Sequence, residues 1–110
     1  NNNDDRPPPG ERPVVARDRE ALLDELARAA AAAPDDDWLP GQRVRYLAEA
    51  GRLDEAVRAA DACAGTAWWC DAVRGAARHA RGDHAGAAAA FERALAAMPE
   101  AQRCTWTDLS

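Results

Sequence analysis

Apolar residues recur along most of this chain at spacings of three and four, the period of a helix with one buried face. Leu22, Leu23, Leu26 and Ala30 give such a face to a first helix over about Asp18–Ala33, with Asp18 as its N-cap. Pro34 and Asp35-Asp36-Asp37 end it and offer a cap to a second helix, about Trp38–Ala50. That helix turns Leu39, Val44, Leu47 and Ala48 inward, and Pro40 and Gly41 fall in its first turn, where proline is tolerated. Gly51 closes it as a left-handed cap. A third helix, about Leu53–Cys63, buries Ala56, Val57 and Ala60. Gly65 breaks the chain, and Thr66 is placed to cap a fourth, about Ala67–Ala80, which Gly82 ends. The fifth, about His84–Met98, faces Ala87, Phe91, Ala94 and Leu95 inward before Pro99. A sixth starts near Ala101 and carries Cys104, Trp106 and Leu109. The expected fold class is all-α, with five to six helices.

Residues 1–16 read as an extended, Pro-rich leader, because Asn and Asp open it, Pro7-Pro8-Pro9-Gly10 follows, and Pro13 opposes an early helix. The chain opens with Asn1 rather than methionine, so it is expected to begin after a processing site or to be a piece of something longer. The last helix reaches Ser110 without a visible cap, which suggests truncation or an end that packs on another chain.

Composition sharpens this picture. Hydrophobic residues make up 47% of the 110 positions, and alanine supplies most of that share. Alanine forms helix readily and adds little burial per residue, so thin, closely packed helices are expected, anchored by the leucines and four tryptophans. All 14 basic residues are arginine, yet the net charge is −5 and the arginines are interleaved with acids. Nucleic-acid binders present a basic stripe, so nucleic acid is not the expected partner. No apolar run approaches the roughly 20 residues that a membrane span needs.

Gly51-Arg52-Leu53-Asp54-Glu55-Ala56 is matched 31 residues later by Gly82-Asp83-His84-Ala85-Gly86-Ala87. Around the second copy the spacing of Gly75, Gly82, Ala87, Phe91, Ala94 and Pro99 resembles the tetratricopeptide repeat, in which helix pairs stack into a solenoid. Residues 67–99 carry the clear copy. Residues 37–66 carry a degenerate one, in which Val44 replaces the small residue at Gly75 and Cys63 the one at Ala94. Residues 17–34 match only as a lone helix, and 100–110 as the start of a further unit. The resemblance implies a short α-solenoid of antiparallel helix pairs.

In that family the first helix of each pair lines a groove that takes peptides. Carried over by position, the groove would show Trp38, Arg45 and Glu49 from one pair and Trp69, Ala72, Ala76 and His79 from the next, extended by Arg103 and Trp106. The lysine and asparagine set with which some members clamp a C-terminal carboxylate is missing, which disfavours chaperone-tail binding. The other reading of the tryptophans is that they are core.

Cys63 and Cys70 flank the tight turn between the third and fourth helices, where a disulfide could close a small loop; buried free thiols are the alternative, and Cys104 is left over. A bridge would imply an exported setting, periplasmic or extracellular, and three reduced thiols a cytosolic one. Metal binding is not expected, since His79 and His84 are five apart and no Cys-x-x-Cys or His-Glu-x-x-His spacing occurs. Asp35-Asp36-Asp37 lacks the spaced oxygen ligands of a calcium loop and reads as a helix-capping turn. No serine or cysteine sits beside a positioned base. The sequence therefore points to a non-catalytic module without cofactors, which binds a peptide or protein partner. The alternative is a self-assembling structural subunit of a secreted or cell-surface assembly.

Overall fold

The computed structural model describes residues 13–103, with side chains from Arg17 onward. The fold is all-α. Among the described residues five helices follow in order: α1 (Pro13–Ala32), α2 (Trp38–Glu49), α3 (Leu53–Asp61), α4 (Ala67–Arg81) and α5 (His84–Ala97). A further helical turn opens at Glu100, and the rest of the anticipated sixth helix lies outside the described residues.

The helix at the centre is α2, which packs on α1, α3 and α4; α3 also packs on α4, and α4 on α5. Buried Val44 and Leu47 of α2 join Leu23 of α1, Ala56, Val57, Ala59 and Ala60 of α3, and Val73 and Ala77 of α4 in one core cluster. Tyr46 and Trp69 lie partly buried against it. Side chains at complete burial are alanines, Ala56, Ala60, Ala77 and Ala90, so the helices approach on methyl groups rather than on large anchors.

The two hairpin turns are the same structure twice. After α2, Gly51 (φ 77°) donates to the Ala48 carbonyl at 3.0 Å and Arg52 to that of Leu47 at 2.9 Å. After α4, Gly82 (φ 92°) donates to His79 at 3.0 Å and Asp83 to Arg78 at 2.9 Å. Both are Schellman caps, in which a left-handed residue lets the chain reverse while its N–H groups satisfy the last helix carbonyls. Every one of these groups is offset by the 31 residues of the sequence repeat.

The sequence expectations need correction in several places. α1 begins at Pro13, not Asp18, so residues 13–16 are helical rather than leader. Proline lacks only an N–H that the first helical turn would leave unpaired, and its fixed φ suits that position. Thr66 does not cap α4 with its side chain; its hydroxyl instead donates to Asp37. Leu22 and Leu95 are exposed, and Ala90 is buried on α5. α3 stops at Asp61, α2 at Glu49 and α5 at Ala97, slightly short of their expected ends, whereas α4 runs one residue further to Arg81.

Candidate partner-binding groove

The start of α4 is fastened to the start of α2. Asp36 caps α2, its Oδ1 accepting from the Trp38 and Leu39 N–H groups at 2.8 and 3.1 Å. Asp37 is thereby released to face α4. Its carboxylate accepts from Thr66 N at 2.7 Å and from Thr66 Oγ1 at 2.6 Å, and its carbonyl accepts from Trp69 Nε1. The two Thr66 bonds hold the Asp37 carboxyl below its ordinary pKa, because they stabilise the charged form. The acidic turn is thus an internal clamp with two working carboxylates.

This clamp sets Trp69 over Gly41, where an added Cβ would stand 3.2 Å from ring atom Cζ2. Beside the indole, Gly41 and Val44 of α2 and Ala72, Val73 and Ala76 of α4 enclose a shallow groove of about 170 Å³ with almost wholly apolar walls. Ala76 is exposed at its surface. The groove is a place for an apolar side chain and offers no acid–base or nucleophilic group.

The structure distributes the anticipated partner-binding residues unevenly. Trp69 lines the groove. Trp38, its counterpart 31 residues earlier, does not; it is 62% exposed. Arg45 pairs with Glu49 at 3.3 Å, one helical turn on, and its guanidinium lies 5.6 Å from the Tyr46 ring centre. His79 is exposed at the far end of α4. Arg103 is exposed near the end of the described residues, and Trp106 lies beyond them. Sequence reading missed Gly41 and Val44 as lining residues. A signal was present, since Gly41 and Ala72 are a small pair at the repeat offset.

His79 and His84 meet across the Gly82 turn, with ring centres 5.1 Å apart and planes at 63°, which helix spacing alone did not suggest. Among the described residues no group of three or more His, Cys, Asp or Glu could hold a metal ion. Cys63 and Cys70 are joined, with Cα atoms 5.5 Å apart, and both are buried. The bond ties the end of α3 to the first turn of α4, and Arg74 donates to the Cys63 carbonyl at 3.0 Å in the same corner. Among the described residues no helix is long and apolar enough to cross a membrane.

Comparison with protein-family models, with curated proteins and with solved structures finds no match for this chain.

Proposed function

We propose that this chain is a non-catalytic interaction module of tetratricopeptide-like helix pairs, which takes a peptide or protein partner in the groove between α2 and α4. The observation that carries this reading is the doubled hairpin, with identical glycine caps at the 31-residue offset, beside an apolar groove walled by the first helix of each pair. Such a surface favours an apolar or aromatic side chain, and the exposed Arg45–Glu49 pair, which follows Val44 along α2, is the charge we assign to flanking residues of the partner. The net charge of −5 supports a protein over a nucleic acid.

The test is selection of peptides from a random displayed library on the full chain, repeated on Ala76→Arg. Ala76 is already exposed, so the substitution blocks the groove without burying charge. Peptides that bind the parent and not Ala76→Arg support the reading; selection that is indifferent to the substitution removes it.

One observation favours the second reading, self-assembly into a secreted or surface structure. Trp38 stands exposed at the repeat position where Trp69 is packed on the preceding helix pair. Mass measured by light scattering over a range of concentrations separates the two, because only assembly makes it rise.

A further inference from the structure

A second concavity lies on another side of α2. Leu39, Arg43 and Leu47 follow one another at four-residue spacing and point away from the Gly41–Val44 side that faces Trp69. They floor a crevice between α1 and α3, which do not pack closely on each other. It comprises two adjoining cavities of about 220 and 280 Å³, which share Ala27, Arg43, Ala59 and Ala62. Opposed alanines explain the opening at its centre, where Ala27 of α1 faces Ala59 of α3 and the longer side chains stand only at one end.

The two cavities differ in chemistry. The one toward the end of α1 is walled mainly by Ala27, Ala30 and Ala31 against Ala59 and Ala62. The other adds Arg52 and Arg58 to the shared Arg43, with Asp24 and Glu55. Arg52 is committed: it forks onto Glu55 with both bonds at 2.7 Å and also reaches Glu20 of α1 at 2.7 Å. That fork leaves Glu55 with both carboxylate oxygens occupied. The side chains of Arg43 and Arg58 make no hydrogen bond and no ion pair among the described residues, although most of the chain's described arginines do. Both exert only a longer-range pull on Glu55. An acidic protein therefore holds two uncommitted guanidinium groups beside one alanine-walled opening.

We infer that the α1–α3 crevice docks an extended peptide segment of another polypeptide, one that alternates apolar and acidic side chains. The apolar side chains enter between the alanines, and the carboxylates meet Arg43 and Arg58, whose planar guanidinium groups suit carboxylate oxygens. This site is separate from the α2–α4 groove and does not depend on that groove having a ligand.

The probe is a blocked peptide of sequence Leu-Asp-Leu-Asp-Leu, compared with Leu-Asn-Leu-Asn-Leu, titrated into the full chain carrying labelled alanine methyl groups. The expected result is movement of the Ala27, Ala30, Ala59 and Ala62 signals, with Ala72 and Ala76 still. The asparagine peptide, Arg43→Gln and Arg58→Gln should each weaken binding about tenfold, a loss in keeping with removing one charged contact from a small interface. Unchanged melting temperatures in both variants show that the fold is intact. The inference is overturned if the crevice alanines do not move at millimolar peptide, if the two peptides bind alike, or if only Ala72 and Ala76 respond. Saturation with the chain's own concentration in place of peptide would assign the crevice to a second copy and equally overturn it.

Discussion

Phe91 of α5 lies directly over Gly75 of α4: a Cβ at Gly75 would stand 2.6 Å from ring carbon Cε1. In the degenerate repeat the sizes are exchanged, with Val44 at the position of Gly75 and Ala60 at that of Phe91, both buried in the core cluster. Each helix pair thus meets through one large and one small residue, in opposite order. Gly75→Ala should destabilise the protein by about 1–2 kcal/mol, since overpacking outweighs the roughly 1 kcal/mol that alanine gains in helix propensity. Combining it with Phe91→Leu should recover part of that loss. Urea unfolding of the four members of the cycle measures the coupling; strict additivity would show that the two residues do not share the space.

Reduction should cost this fold the loop entropy of a seven-residue separation, because the bond fixes the corner between the helix pairs. In the loop-entropy model a bridge of this size contributes about 2–3 kcal/mol. Replacing Cys63 and Cys70 together with alanine should lower stability by that amount, a melting shift on the order of 10 °C for a domain of this size. Both cysteines are buried, so in native protein the bond should resist mild reductant, and no thiol should become open to alkylation, until the chain unfolds. Calorimetry of the double variant and thiol counting under native conditions check the two statements separately. Rapid native alkylation of both residues would mean that the corner is held by packing alone.

Much of this fold was legible in the sequence because helices announce themselves through periodicity and glycine. Gly51 and Gly82 sit where only a left-handed residue closes the hairpin, so their spacing gave the turns and, through them, the repeat. Ends set by a competition among polar side chains were harder to read. Asp36, Asp37 and Thr66 are each good caps, and which one acts depends on Thr66 coming within reach of Asp37, 29 residues away in sequence. The groove was half legible for the same reason. Trp69 and Trp38 are equivalent in sequence, and only the helix packed against each distinguishes them.

That distinction yields opposite expectations for the two tryptophans. Trp69→Phe removes the indole donor to the Asp37 carbonyl and should cost about 1 kcal/mol, the net worth of one such bond. Trp38→Phe should change stability by less than about 0.5 kcal/mol, as exposed substitutions do. Denaturant midpoints of the two variants give the comparison. An equal loss in both would place Trp38 in the core alongside Trp69.

Acid should loosen the α2–α4 clamp and the Arg52–Glu55 pair at the start of α3 at once. Thr66 holds the Asp37 carboxyl below its ordinary range, and the Arg52 fork does the same for Glu55 against the opposing effect of partial burial. In the unfolded chain both carboxylates take up protons near pH 4, where the native protein still keeps them charged. The unfolded state therefore binds more protons as the pH drops, and stability falls with it. These contributions should be fully present above about pH 4–5 and lost as the pH passes down through the depressed native values. Asp37→Asn combined with Glu55→Gln should flatten the dependence below pH 4 while lowering stability at pH 7. Urea midpoints between pH 7 and pH 2 for parent and double variant decide it: an unchanged acid slope would assign the acid sensitivity to other carboxylates.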